Sequence, residues 1–160
     1  MSKIKNKTIL NLILLFSIFA LIAAYFIQYV LKHQPCNLCL IERIPYIFSI
    51  IVISICLFTK KFEKFSLIIL SLIFFSATLI SFYHFGIEQD FFNESLVCDL
   101  EKSSEAVSAK DLLKELSAPR ISCKDVTFRV FGFSLATFNT VISFLISVIT
   151  LRIGLNYDKN

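Results

Sequence analysis

Long apolar segments alternate with short polar stretches along the chain. Four segments are long and apolar enough to cross a membrane as helices, at about residues 9–31, 41–59, 65–85 and 131–151. An α-helix rises about 1.5 Å per residue, so about 20 residues span the hydrocarbon core of a bilayer. The pattern predicts an all-α membrane protein, a four-transmembrane-helix bundle in a single integral membrane domain. Two longer loops, 32–43 and 86–130, then lie on one side of the membrane.

The second segment is the shortest of the four. Its uninterrupted apolar run, Ile44–Phe58, covers only about 22 Å as a helix. A helix that crosses the bilayer must therefore draw on Leu40 and Ile41 as well. This start brings Glu42 and Arg43 to the membrane surface.

The second of the two loops contains a candidate surface helix. Ser108 to Asp111 fits a capping box, and apolar residues follow at helical spacing, namely Ala109, Leu112, Leu113 and Leu116. Pro119 ends the pattern. This part of the loop is predicted to form a short amphipathic helix on the membrane surface or on the ends of the spans.

Composition agrees with a membrane location. Hydrophobic residues make up 56% of the 160 residues, whereas soluble domains contain about 45–50%. The formal net charge of +4 is too small to indicate a nucleic-acid partner, so lipid is the expected surrounding.

The placement of basic residues predicts the orientation. They cluster before the first span, between the second and third, and after the fourth: Lys3, Lys5, Lys7, Lys60, Lys61, Lys64, Arg152 and Lys159. By the positive-inside rule, both termini face the cytoplasm and the two longer loops face outward. In a bacterial inner membrane these loops would lie in the periplasm.

Four of the five cysteines fall in the two outward loops. Cys36 and Cys39 lie in the first, Cys98 and Cys123 in the second, and Cys56 lies within the second span. Four cysteines on the oxidising side of a membrane are compatible with two disulfides. Cys56 is expected to be a small packing residue.

The spacing of Cys36 and Cys39 is typical of a metal site or a redox pair. Zinc needs four ligands, and the four outward cysteines would supply them, although Cys98 and Cys123 lack the tight spacing of a second ligand pair. These two cysteines also fit a structural disulfide. Exchange between two cysteine pairs fits the same layout.

A redox interpretation needs an electron acceptor, and the sequence has no Gly-rich nucleotide loop. A lipid-soluble quinone at the bilayer surface fits best. Arg43, one helical turn after Cys39, would favour the Cys39 thiolate and donate to a quinone carbonyl. The alternative is an interfacial arginine that reaches lipid phosphates.

These features together resemble the DsbB-type membrane quinone–thiol oxidoreductases. The resemblance rests on the four spans, the two cysteines of the second loop, and the Cys-x-Leu-Cys-x-x-Glu-Arg motif from Cys36 to Arg43. The stretch Tyr83–Glu88 and the stretch Phe131–Ala136 support it. The chain departs from the family in having no Trp, which members commonly carry near these loops.

The resemblance implies a path for electrons through the cysteines. Cys98–Cys123 would be the disulfide attacked by a DsbA-like periplasmic thiol oxidase, with Cys98 forming the mixed disulfide. Cys36 would exchange with Cys123, and Cys39 would donate to the quinone, either ubiquinone or menaquinone. No metal is expected.

The resemblance also implies cofactor-binding residues and a function. Arg43 would position and polarise the quinone, and His84 is a candidate neighbour of it. The protein would reoxidise its periplasmic partner and sustain disulfide bond formation at the inner membrane. The alternative is a non-catalytic zinc-binding or scaffold membrane subunit.

Overall fold

The computed structural model describes residues 2–59, 62–93, 98, 123–124, 129–130 and 132–157. Its elements, in chain order, are α1 (Ser2–Tyr29), α2 (Asn37–Ile41), α3 (Ile44–Thr59), α4 (Glu63–Glu88), β1 (Arg129–Val130), β2 (Phe133–Ser134) and α5 (Leu135–Leu155). Four helical stretches are long and apolar enough to span a membrane: Lys7–Tyr29, Asn37–Thr59, Glu63–Glu88 and Leu135–Leu155. The predicted fold class, a membrane bundle of four helices, is confirmed.

Several helix ends differ from the sequence prediction: α1 runs from Ser2 to Tyr29, and α5 ends at Leu155. Helix α4 continues to Glu88, about one turn beyond the predicted end of the third span. Helix α5 begins at Leu135 because the Ser134 hydroxyl caps it, accepting a bond from the Thr137 amide at 3.3 Å. Ahead of it, β2 pairs with β1 in a two-stranded antiparallel sheet. The amphipathic helix predicted at 108–116 lies outside the described residues.

Helix α4 packs along α5, and α3 contacts both α1 and α4. Small polar residues join these helices. Ser71 and Ser147 each donate to the other's backbone carbonyl, at 3.1 and 3.0 Å, and the Ser17 and Ser49 hydroxyls lie 2.9 Å apart. Small side chains of this kind let membrane helices approach closely.

The middle of the bundle is an apolar cluster shared by α1, α3 and α4. Its buried members are Leu10, Ile13, Tyr46, Ile53, Cys56, Leu67, Leu70 and Phe74. Cys56 is 2% exposed there, in agreement with its interpretation as a packing residue.

The outward faces of the helices carry large exposed apolar side chains. Examples from three helices are Leu15, Phe19, Ile22, Leu72, Phe75, Leu79, Val141, Phe144 and Leu145. Proteins surrounded by water seldom expose continuous apolar surface on this scale. The bundle is therefore that of a multi-pass membrane protein, with lipid as its solvent.

The chain turns back on itself directly after α4. The Phe91 and Phe92 amides donate to the Gly86 carbonyl at 2.8 and 3.2 Å. The Phe92 ring then lies against Gly86, where a methyl group would overlap it, and stacks on Tyr83 with ring centroids 5.6 Å apart. This return starts the segment that leads to Cys98.

Candidate active site

The Cys36–Cys39 pair begins the short helix α2. Cys36 is its N-cap residue, and its Sγ accepts a hydrogen bond from the Cys39 amide at 3.3 Å. The two sulfurs lie 2.7 Å apart and both cysteines are free thiols. The helical turn between them therefore holds the pair in position to open and close a disulfide.

His84, near the end of α4, lies beside this pair. Its Nε2 is 3.5 Å from Cys36 Sγ, and its Nδ1 is 2.7 Å from Oε1 of Glu42. The carboxylate acts as acceptor for the Nδ1 proton, so Nε2 is the atom that exchanges a proton with the sulfur. His84 is only 3% exposed, so the imidazole is enclosed by the protein and faces the cysteine pair.

Glu42 and Asn139 connect this histidine to α5. Asn139 donates through Nδ2 to Oε2 of Glu42 at 2.7 Å. The Asn139 Oδ1 in turn accepts from the Tyr46 hydroxyl at 2.5 Å and from the Ser143 hydroxyl at 3.1 Å. Both carboxylate oxygens of Glu42 are thus partnered, and the imidazole of His84 is held in one orientation.

The surroundings of Cys36 stabilise its thiolate. The hydrogen bond with the Cys39 side chain lowers the pKa of Cys36 most. Burial raises this pKa, and the hydrogen bond and charge of His84 lower it further. Together they lower the pKa of Cys36 from 9.0 to about 5. Near neutral pH, Cys36 is therefore the nucleophilic sulfur of the pair.

A cavity of about 340 Å³ opens beside the pair. Its apolar wall comes from α1, where Ala20, Ala23 and Ala24 leave space, and from α5. The polar residues that line it include Cys36, Cys39, Glu42, Arg43, His84, Glu88 and Asn139. A mostly apolar pocket with a few converging polar groups is typical of a small-molecule site.

Arg43 lines this cavity but is held from the side of α1. Its guanidinium donates to Oε1 of Gln28 at 2.6 Å and lies 4.9 Å from the ring centroid of Tyr25. The sequence predicted that Arg43 would stabilise a Cys39 thiolate. The structure differs, because the hydrogen-bond donors surround Cys36.

The second cysteine pair lies next to the first. Cys98 and Cys123 form a disulfide with a Cα–Cα distance of 6.0 Å, the pairing that the resemblance implied. Both belong to the hydrophobic cluster that contains Cys36 and Cys39, and the Asn37 side chain donates to the Cys98 carbonyl at 3.4 Å. An ion pair between Lys124 and Asp90 ties the Cys123 end to the end of α4.

The structure brings all six predicted site residues to one end of the bundle, which we call the cysteine end. It comprises residues 36–43, the last turns of α4, the first turns of α5 and the Cys98–Cys123 disulfide. Sequence reasoning gave Glu42 no role and missed Asn139 entirely. The sequence did offer a signal for Asn139, which is the one amide side chain in the fourth apolar span. Polar side chains inside a membrane are costly to bury and therefore usually have partners.

Comparisons with known proteins agree with this geometry. The family described as "Disulfide bond formation protein DsbB" matches residues 6–153. An uncharacterised protein of Rickettsia prowazekii (strain Madrid E) is 28% identical over 155 residues, covering 95% of this chain and 90% of the relative. No solved structure gives a significant match. The chain belongs to the DsbB family, whose members are oxidoreductases of disulfide bond formation.

Proposed function

We propose that the protein is a thiol:quinone oxidoreductase that reoxidises a DsbA-like, thioredoxin-like dithiol oxidase of the periplasm. The observation that carries the proposal is the packing of both cysteine pairs in one cluster beside a largely apolar cavity. Thiol–disulfide exchange needs contact between the pairs. A lipid-soluble acceptor needs an apolar site open to the pair that it oxidises.

The first transfer takes place at Cys98–Cys123. A thiolate of the partner attacks the Cys98 sulfur, which forms a mixed disulfide and releases Cys123. The second thiol of the partner then resolves the mixed disulfide, so the partner leaves oxidised with two electrons fewer. The Cys36–Cys39 pair, in its disulfide state, then oxidises Cys98 and Cys123: the Cys123 thiolate attacks Cys36 and releases Cys39. Cys98 resolves the Cys123–Cys36 mixed disulfide, which re-forms Cys98–Cys123 and leaves Cys36 and Cys39 as thiols.

The second transfer takes place at the cavity. Two electrons leave the Cys36–Cys39 pair as its disulfide closes, and ubiquinone or menaquinone, when bound, accepts them together with two protons. Cys39 and Arg43 both line the cavity, so the guanidinium can donate to a carbonyl oxygen there. His84 holds the proton that Cys36 gives up.

The orientation follows from the lysine clusters. The cysteine end faces the periplasm and both termini face the cytoplasm of a bacterium. The hydrogen bond between Tyr157 and Glu63, 3.0 Å, joins the end of α5 to the start of α4, so these two helix ends share the end of the bundle that the lysine clusters assign to the cytoplasm.

Thiol trapping in lipid nanodiscs tests the proposal. The protein is reduced with a thioredoxin-like dithiol partner, quinone is added or left out, and alkylated cysteines are mapped by mass spectrometry. We expect Cys36 and Cys39 to become protected from alkylation only when quinone is present. Thiols that never change state on addition of quinone would contradict the proposal.

A zinc-binding subunit is the second candidate, and one observation favours it. The ligand atoms of Cys36, Cys39 and His84 lie within 4.8 Å of one another, and Glu42 on the far nitrogen of His84 resembles the carboxylate–histidine pairs of zinc sites. The disulfide at Cys98 removes the other two predicted ligands. Zinc at one atom per chain after purification, released on Cys36→Ser, would favour this candidate; zinc-free protein that reduces quinone would exclude it.

A further inference from the structure

Glu88, in the last turn of α4, carries a buried oxygen that lacks a partner. Its side chain is 5% exposed, and its Oε2 is without a hydrogen bond among the described residues. Burying an unpartnered carboxyl oxygen is costly, so its presence calls for an explanation. None of the steps derived above uses Glu88.

Glu88 also lies at the junction of two cavities. One is the large cavity beside the cysteines; the other, about 300 Å³, lies between the end of α4 and the start of α5 and reaches the exposed residues Gln89 and Gly132. Oε1 of Glu88 is 3.8 Å from Nε2 of His84. That nitrogen is the one that faces Cys36.

The groups that face Glu88 come from every element around it. His84 lies one turn back on α4, Glu42 and Cys36 lie across the large cavity, and the Ser134 hydroxyl approaches from β2. Arg43 lines the far side of the same cavity. The carboxyl group of Glu88 thus lies near the His84 imidazole on one side and lines the surface cavity on the other.

We propose that Glu88 is the proton carrier of the site, linking His84 and the surface cavity to the acceptor. This inference rests on the proposed function. Two electrons and two protons leave the Cys36–Cys39 dithiol when its disulfide forms, and the same number arrive on the quinone. Glu88 takes the proton of Cys36 from His84 and gives it to a quinone oxygen. The Cys39 proton leaves to water, and Glu88 replaces it with one taken up through the surface cavity.

Glu88→Gln tests this role, because the amide keeps the shape and loses the exchangeable proton. We expect quinone reduction to fall at least about a hundredfold, the low end for loss of a general acid–base group. Exchange between the partner and Cys98–Cys123, measured without quinone, should keep its wild-type rate. Glu88→Asp should recover part of the activity. Glu63→Gln, a matched change at the other end of α4, should leave both rates unchanged.

Infrared difference spectra give a readout that is independent of turnover. Chemical reduction and reoxidation of the cysteines without quinone should change a carboxyl band that is absent in Glu88→Gln and present in Glu63→Gln. A band that persists in Glu88→Gln, or a variant with the wild-type rate of quinone reduction, would overturn the inference. Wild-type protein that cannot reduce quinone would instead overturn the proposed function, while the infrared band would still test Glu88.

Discussion

Two buried cysteines, Cys36 and Cys56, differ in what surrounds them. Cys36 is 6% exposed and Cys56 is 2% exposed. Cys36 contacts the Cys39 thiol and the His84 imidazole, whereas Cys56 lies among aliphatic and aromatic side chains of the bundle core. Burial alone therefore does not decide what a thiol does; the donors and charges within reach of the sulfur decide it.

The same contrast separates the two regions that contain them. The core is held by apolar packing and by isolated pairs of serines such as Ser71 and Ser147. The cysteine end is held by a continuous chain of hydrogen bonds from Cys36 through His84 and Glu42 to Asn139. A change in the core should thus alter stability, and a change at the cysteine end should alter chemistry.

Exchanging each cysteine for serine should give the largest effect. Cys36→Ser removes a reacting sulfur, so quinone-dependent oxidation of a partner dithiol should fall roughly a thousandfold or more. Cys56→Ser, the matched control, should stay within about twofold, since the added hydroxyl is tolerated in membrane helices that bond it to their own backbone. Equal rates for the two variants would remove the contrast between the two cysteines.

The pH dependence of alkylation should separate Cys36 from an ordinary thiol. The pKa of Cys36 is about 5 because of the Cys39 bond first and His84 second. In reduced protein the rate with iodoacetamide should rise through about pH 5. His84→Gln should move this midpoint upward. At pH 6 the reaction should then slow about twofold for the first pKa unit and about tenfold for each unit beyond it. Ser76→Ala, on the lipid side of the same helix, should leave the midpoint where it is.

The same shift affects the stability of the reduced protein. The folded pKa lies below the ordinary value of 9.0, so the unfolded chain binds more protons between these two values. The stabilisation by the Cys36 thiolate is complete above about pH 9 and is lost as the pH falls through about 5. Denaturation in detergent at several pH values should detect it in wild type and find less of it in His84→Gln.

Asn139→Ala should have an intermediate effect. It leaves Oε2 of Glu42 without its described partner and removes one bond of the Tyr46 hydroxyl, at a cost of about 1–3 kcal/mol in the free energy of unfolding. Turnover should fall as well, because Glu42 no longer fixes His84. Thr140→Ala, whose hydroxyl bonds only to the Ala136 carbonyl of its own helix among the described contacts, is the control. A stability loss with unchanged turnover would assign Asn139 to structure alone.

Ser71→Ala should have the smallest effect. Hydrogen bonds between membrane helices contribute only about 0.6 kcal/mol on average, so the melting temperature should fall slightly. Turnover should not change, because Ser71 and Ser147 lie in the membrane interior away from the cysteine end. A loss of turnover equal to that of Asn139→Ala would mean that the two regions are coupled.

The sequence predicted the four helices because the thickness of a bilayer sets the length of an apolar segment. It also singled out Cys36, Cys39, Cys98 and Cys123, since they fall in two loops predicted on the same side, and the structure packs these four together. The start of α5 was harder to predict from the sequence. Residues 131–134 were assigned to the apolar span because the capping role of Ser134 was not recognised.

The polar network could not be read from local sequence. Glu42 meets His84 and Asn139, which lie 42 and 97 residues further along the chain. These contacts depend on how α4 and α5 rotate and slide against α3, and packing of the whole bundle sets those positions. The role of Glu42 therefore appears only in three dimensions.

The Gly86–Phe92 contact limits what can change near the second cysteine pair. The ring of Phe92 occupies the place of a side chain at residue 86, and the two amides bound to the Gly86 carbonyl set the direction in which the chain leaves α4. A single methyl group at this position would displace the Phe92 ring from its place on Tyr83 while leaving every cysteine intact. The path by which the chain leaves α4 is thus set in part by a residue that has no side chain and takes no part in the chemistry.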